Sequence, residues 1–374
     1  MIKKYLSIGT PYDSFNNDKI LSHEVSTLYP GAMWVYELKK LLQDSEFKIH
    51  TSDVIHRLIQ KKTVNPCDVY LYCDETYLES SSHLIRLGCN PLILSSFESP
   101  IVSRKFYLKL EEAKNAFKYK ILFKGAIDSR RDENCDILHF PSFSRKDLDD
   151  NYPEGRDDRF VLVMSNKYYE DFQSPTRLIL RRLKNSIPIF DNRFTRSMRS
   201  IQLYDKRLEI ISYLSNINRL DLYGNGWNNI NNLPDKFKKR LLEVDSIKNF
   251  KNLLPGTSQK VALLSKFKYS LCLENCQYPG YITEKIIDAL ISKTLPIYLG
   301  APDIFEFIPK NCFINVDDFK TLPALFEYVK SLSDEQYNDM IASGQKFLRS
   351  ERGYKFSYES FADEVKNRLL NGKS

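Results

Sequence analysis

Long apolar runs are missing from this chain. No segment approaches the roughly 18 apolar residues that a transmembrane helix needs, and the opening stretch MIKKYLSIGTPYDS has no apolar core of the kind a secretory signal carries. The expectation is a soluble chain that stays in the cytoplasm. Cysteine is sparse and poorly spaced. The seven residues at 67, 73, 89, 135, 272, 276 and 312 form an odd set without a C-x-x-C pair, which argues against a disulfide framework and against a structural zinc site. Internal repeats, heptads and low-complexity tracts are also absent, which excludes solenoids and coiled coils. No RNA-binding motif with interleaved aromatics and no recognition-helix pattern is present, so nucleic acid is not expected as a partner.

The chain does contain enough material for two ordinary domains. It has 374 residues, 42% hydrophobic and 28% charged, the composition of a globular protein long enough for two cores. The net charge is +7, and it is concentrated. Between Arg177 and Arg219 ten basic residues face three acidic ones, which accounts for the whole excess. Solvated helix faces, pyrophosphate binding by one or two arginines, and attraction to an anionic surface all fit that cluster.

The most informative stretch runs from Lys268 to Gly300. Tyr269 to Leu273 is a short run of strand formers that stops at the polar pair Glu274-Asn275. It reads as a buried strand presenting polar groups at its C-terminal end, where open α/β sheets bind ligands. After a turn at Pro279-Gly280, Thr283 is placed to cap a helix packed through Ile286, Ile287, Leu290 and Ile291, and Leu295 to Leu299 reads as the next strand. Lys285 lies in the first turn of that helix, where a cation opposes the macrodipole. Either it belongs to a solvated Glu-Lys pair, or the helix N-terminus and the ammonium together form an anion site, with Glu284 accepting hydrogen bonds from sugar hydroxyls.

Upstream, the strand candidates Lys4 to Ile8, Phe47 to His50, Asp68 to Cys73, Pro91 to Ser95 and Tyr119 to Phe123 alternate with helical patterns at 32–43, 77–87 and 101–117. That alternation implies a parallel sheet. Pro91 to Ser95 ends at Ser96-Phe97-Glu98-Ser99-Pro100, and Pro100 disfavours helix at Ser99, so Glu98 is expected at the C-terminal end of a buried strand. Arg130 to Arg159 is charged and carries Pro141, Pro153 and Gly155, and reads as a linker. Within it, Asp147-Leu148-Asp149 is formally a D-x-D, but no apolar strand leads into it, so no metal site is expected. The pattern then resumes with Phe160 to Met164, helices at 176–184 and 206–214, a strand at Leu220 to Tyr223, and the turn Gly224-Asn225-Gly226. Helices follow at 233–242, 258–265, 322–332, 334–347 and 356–370.

The combination of Leu-x-Leu-Glu-Asn at 271–275, Gly-Tyr-Ile-Thr-Glu-Lys at 280–285, Pro-Ile-x-x-Gly at 296–300 and Phe-Ile-Asn-Val-Asp-Asp-Phe at 313–319 closely resembles the signature of the α1,3/4-fucosyltransferases, family 10 of the glycosyltransferases. Phe97-Glu98-Ser99-Pro100 resembles the acceptor-side segment of the same family, whose glutamate is the general base. The block around Arg207 resembles the segment whose arginine contacts the donor diphosphate. Cys276, Pro279-Gly280 and the extended segment 170–204 depart from the common pattern, as does the lack of the Trp and Asn that precede the Glu-Ser-Pro segment in animal members.

The resemblance implies a soluble, bacterial-type member with the GT-B fold, two Rossmann-like domains facing across a cleft. The acceptor domain would occupy 1–155 and the donor domain 156–354, with a terminal helix over 355–374 packing back on the first. It further implies inverting transfer of L-fucose from GDP-fucose to a glycan hydroxyl, with an α1,3 linkage on a Gal/GlcNAc-containing lipopolysaccharide or other surface glycan. Glu98 would be the base. Arg207 and Lys285 would stabilise the leaving GDP, and Asn275, Tyr281, Thr283 and Glu284 would complete the donor site. No cofactor is required on this reading, with Mn²⁺ or Mg²⁺ at most a stimulant, and peripheral contact with the inner membrane surface is expected. Transfer of another deoxy- or amino-sugar from a nucleotide donor, and a non-catalytic glycan- or nucleotide-binding protein, remain the alternatives.

Overall fold

The structure is a computed structural model that describes residues 3–9, 12–29, 31–75, 81–166, 197–198, 200–229, 233, 237–238, 241 and 257–372. The helices expected at 176–184 and 233–242 lie wholly or mostly outside these residues, as do the start of the one at 77–87 and most of the basic cluster. The chain divides into two compact units. The first comprises 1–147, 279–284 and 353–374, and the second comprises 148–278 and 285–352.

The first unit is built on a six-stranded sheet in the order β2-β1-β3-β4-β5-β6. Its strands are β1 (Lys4–Ile8), β2 (Phe47–Thr51), β3 (Val69–Cys73), β4 (Asn90–Ser95), β5 (Tyr119–Leu122) and β6 (Cys135–Ile137), and every pairing is parallel. The buried ends of β1, β3 and β4 explain why these strands read as continuous apolar runs, because a parallel sheet is covered on both faces. The chain steps from β1 out to β2 and then returns to the other side of β1 with β3. That reversal places a topological switch point between β1 and β3, where a crevice opens at the C-terminal ends of the strands.

Two expectations need correction here. The charged stretch 130–159 is not all linker, since β6 pairs with β5 along the sheet edge and Phe143 bridges Ser357. The helix expected over 101–117 is two helices, Arg104–Leu108 and Leu110–Ala116, because Lys109 leaves helical geometry at φ −112°, ψ 16°. A helix at Ser52–Gln60 follows β2 without a loop.

The helix Tyr358–Asn371 belongs to the first unit. Its Phe361 meets Trp34 edge-on at 4.9 Å and Phe97 at 5.6 Å. Trp34, on the helix Met33–Leu41, is 3% exposed and Phe361 is 1% exposed. Burying each such ring contributes on the order of 2–3 kcal/mol. Backbone bonds secure the approach: Ser142 N–H donates to Phe356 C=O at 2.8 Å, and Tyr358 N–H donates to Phe143 C=O at 2.8 Å.

In the second unit the described strands form a five-stranded sheet, β11-β10-β9-β7-β8. They are β7 (Asp157–Val163), β8 (Leu220–Tyr223), β9 (Phe267–Leu273), β10 (Leu295–Leu299) and β11 (Ile314–Asn315), again all parallel. The switch point falls between β7 and β9. The core beneath it includes Leu208 and Ile211 from one face of the helix Tyr204–Asn216, Leu271 and Ile297 paired across β9 and β10, and Phe326 from the helix Leu322–Ser331. All seven cysteines are free thiols.

Candidate active site

At the switch point of the second sheet, β9 ends in Glu274-Asn275. Glu274 N–H donates to Leu299 C=O at 2.8 Å, which carries the sheet register one residue past the strand. The segment that leads into the helix Tyr204–Asn216 is held against this end. Leu203 N–H donates to Asn275 C=O at 3.0 Å, Gln277 N–H donates to Ile201 C=O at 2.7 Å, and Gln202 bridges Cys276. One turn into the helix, Arg207 is 3% exposed. Its guanidinium donates to Asn275 Oδ1 at 2.7 Å and reaches Met164 Sδ at the end of β7. The arginine therefore spans the β7–β9 crevice, with its planar fork oriented by neighbours from both strands. A pre-oriented guanidinium suits bidentate recognition of phosphate.

Lys285 has a partner that explains its place in the helix Glu284–Ile291. Its ammonium donates to Glu274 Oε2 at 2.8 Å, and the Glu274 side chain is 0% exposed. The cation that opposes the helix dipole is the counter-ion of a carboxylate taken completely out of water. Gly300 packs on the same group, since a Cβ there would lie 2.6 Å from Glu274 Cγ and 2.4 Å from the Tyr298 hydroxyl. Burial, and after it the charge of Glu274, pushes the Tyr298 phenol well above its ordinary range.

The turn Gly224-Asn225-Gly226 also serves the strand ends. Gly224, at φ +133°, would put a Cβ 2.2 Å from Met164 C=O. Asn166 donates its amide to the carbonyls of Gly226 and Asn229 at 3.1 and 3.0 Å, and Trp227 Nε1 donates to Met164 C=O at 2.7 Å. The close approach that these glycines permit is therefore to the chain's own β7 end.

Tyr281 is 1% exposed and packs edge-on to Phe123 at 5.0 Å, inside the first unit. Gly280, at φ +71°, lies so close to Lys124 that a Cβ would come within 2.8 Å of its nitrogen. Thr283 is buried and directly precedes the helix that Glu284 begins; both are grouped with the first unit. Asp149 of the D-x-D triplet is paired with Lys293.

Glu98 lies in the first unit beside a cavity of about 190 Å³ at that sheet's switch point. The residues following β1, β3 and β4 supply its walls: Gly9 and Tyr12, then Asp74 and Glu75, then Phe97 and Glu98. The loop holding Glu98 is fixed from several sides. Its carbonyl accepts from Ser96 Oγ at 3.1 Å and from the Tyr107 hydroxyl at 3.0 Å. The preceding Phe97 N–H donates to Glu75 Oε2 at 3.0 Å. Burial first, then the charges of Asp74 and Glu98, holds the Glu75 carboxyl well above the usual carboxylate range. Asp74 and Glu75 are the site residues the sequence reading passed over. Their signal was an acidic pair directly after the apolar run Val69 to Cys73, the same placement that singled out Glu98. Among the described residues, no group of three His, Cys, Asp or Glu side chains is arranged to hold a metal ion, and no helix is long and apolar enough to cross a membrane.

Two parallel α/β units, each with candidate site residues at a switch point, define a class. A crystal structure of an α1,3-fucosyltransferase is similar over 99% of this chain and 91% of its own, with a TM-score of 0.54 at 17% identity. Anabaena HepE in complex with UDP and glucose is similar over 98% and 100%, with a TM-score of 0.54 at 10% identity. The fold is that of the GT-B glycosyltransferases. Within it, residues 193–342 match the family model described as glycosyltransferase family 10 (fucosyltransferase) C-terminal. The α-(1,3)-fucosyltransferase FucT of Helicobacter pylori is 45% identical over 89 residues, 23% of this chain and 18% of that protein. The chain aligns with about a fifth of the length of the curated relatives it matches. The family match contains Arg207, Glu274, Asn275 and Lys285, whereas Glu98 and its cavity lie outside it.

Proposed function

We propose that this protein is an inverting glycosyltransferase that moves L-fucose from GDP-fucose to a hydroxyl of an acceptor glycan, forming an α1,3 linkage. The observation that carries the reading is the pre-oriented Arg207, hydrogen-bonded to Asn275 at the switch point within the stretch that matches the family-10 model. In this reading residues 156–354 bind the donor. Arg207 and the N-terminal turn at Thr283-Glu284 stabilise the diphosphate as the C1–O bond breaks and its electron pair leaves with GDP. Glu284 accepts hydrogen bonds from ribose hydroxyls. Lys285 contributes to the field around the phosphates while remaining paired with Glu274, and Tyr281 anchors the segment that leads into the helix. Glu98, from the first unit, takes the acceptor hydroxyl proton, a role worth about 10²–10⁴ in rate. A divalent metal is at most a stimulant. The acceptor is a Gal/GlcNAc-containing surface glycan such as lipopolysaccharide, met in the cytoplasm at the inner membrane surface.

A panel of nucleotide sugars with linkage analysis of the product tests the reading, together with Glu98→Gln and Arg207→Ala. GDP-fucose should be consumed, Glu98→Gln should lose turnover while keeping GDP affinity, and Arg207→Ala should lose GDP affinity. Consumption of a different donor would replace fucose in the reading, and unchanged turnover in Glu98→Gln would remove the base assignment.

A further inference from the structure

The cavity beside Glu98 has a composition that the donor chemistry does not use. Seven of its sixteen lining residues are aromatic, and three acidic residues, Asp74, Glu75 and Glu98, line it from the segments that follow β3 and β4. Tyr12 is the exposed member. It is 53% exposed and stacks on Tyr29 at 5.9 Å with an interplanar angle of 22°. Phe15 supports both rings edge-on, at 5.4 and 4.6 Å, and Tyr29 is tied to Ser14 through its hydroxyl at 3.2 Å. Tyr12 is thus a braced, solvent-facing aromatic surface beside carboxylate acceptors. Partial burial of the ring's inner edge, and then the charges of Glu98, Glu75 and Asp74, raise its phenol above the ordinary range, which is consistent with its position near all three.

A hexose has this mixed character. One face of the ring carries axial C–H groups that pack against an aromatic, and the rim carries hydroxyls that donate to carboxylates. The cavity, of about 190 Å³ and open to solvent on one side, has room for a sugar ring. We propose that Tyr12 is the acceptor-side specificity residue, the platform on which a single hexose unit of the glycan lies with its hydroxyls directed at Glu75 and Glu98. This rests on the transferase reading for its consequence in turnover, but the sugar-binding step stands apart from the identity of the donor.

The test compares Tyr12→Ala with Tyr12→Phe, which keeps the ring face and removes only the hydroxyl. Binding is read by saturation-transfer NMR on the full chain, with methyl β-galactoside and methyl β-N-acetylglucosaminide as probes. Turnover is read as separate KM values for acceptor and donor. Wild type should transfer saturation to the C–H protons of one ring face of one of these glycosides. Tyr12→Ala should abolish that transfer and raise the acceptor KM about tenfold, the scale of one lost aromatic contact, while donor KM and thermal unfolding are unchanged. Tyr12→Phe should recover most of the lost binding. An acceptor KM unmoved in Tyr12→Ala, an equal loss in Tyr12→Phe, or no binding of either glycoside to wild type would overturn the proposal. Glycoside binding without consumption of GDP-fucose would leave this inference standing and remove the donor reading instead.

Discussion

Replacing Lys285 by methionine isolates the buried pair at the end of β9. Glu274 is 0% exposed and its Oε2 accepts from the Lys285 ammonium at 2.8 Å, while Lys285 itself is 18% exposed. Removing one partner of such a pair leaves a carboxylate with no access to water, at a cost of about 3–5 kcal/mol. In a unit of this size each kcal/mol shifts Tm by about 2–4 °C, so Lys285→Met should lower Tm by on the order of 10 °C. In Glu274→Gln/Lys285→Met the charge has gone with its partner, and stability should return to within about 1 kcal/mol of wild type. Thermal unfolding and urea titration of wild type, Lys285→Met, Glu274→Gln and the double variant give the coupling, and GDP titration of the double variant then asks a separate question. If that variant is stable and has lost GDP affinity, the ammonium acts on the phosphates as well as on Glu274; if affinity is intact, its function is to neutralise Glu274. A loss under 1 kcal/mol in Lys285→Met, or a double variant no more stable than the single one, would refute the reasoning.

Two further perturbations follow from the same geometry. Gly224→Ala sets a Cβ 2.2 Å from main-chain oxygen at φ +133° and should cost more than about 3 kcal/mol, whereas Gly155→Ala, at φ +62° with nothing within 4 Å, should cost only about 1 kcal/mol; equal losses in urea titrations would show that the β7 end is not closely packed. His139 is depressed from 6.5 to about 4 by burial and then by Lys355. Because its folded value lies below its unfolded one, the stability it contributes is complete above about pH 6.5 and is lost as pH falls towards 4, with a ceiling of about 3 kcal/mol reduced by partial exposure. Unfolding of His139→Phe between pH 7 and 4.5 should show a correspondingly shallower loss than wild type.

Where hydrophobic pattern alone determines structure, sequence and structure agree closely. Lys4–Ile8, Leu220–Tyr223 and Leu295–Leu299 form strands with the expected bounds; Leu295–Leu299 is buried throughout and stands out as a bounded apolar run, while the edge strand Leu220–Tyr223 alternates buried and half-buried residues. The same pattern located Glu98 and Asn275, each directly after such a run. It did not show which polar neighbour a charge would choose. Lys285 looked like a cation in search of an anion, but its partner is eleven positions back in the chain, across a strand-to-helix connection. Cys135–Ile137 was hidden for another reason: a three-residue edge strand with two exposed residues has almost no apolar signature. Tyr12 lies in a polar loop, and its importance comes from Tyr29 and Phe15 packing behind it, a tertiary relation without sequence periodicity.

The place of residues 353–374 in the first unit has a consequence for how the protein is made. Trp34 and Phe97 emerge from the ribosome early, but the ring that covers them, Phe361, is translated only after the whole second unit. At about 5–20 residues per second, synthesis of the intervening stretch takes on the order of 10–40 s. Throughout that interval the first unit lacks the ring that closes its aromatic cluster, so its packing is completed only when the last helix has been made.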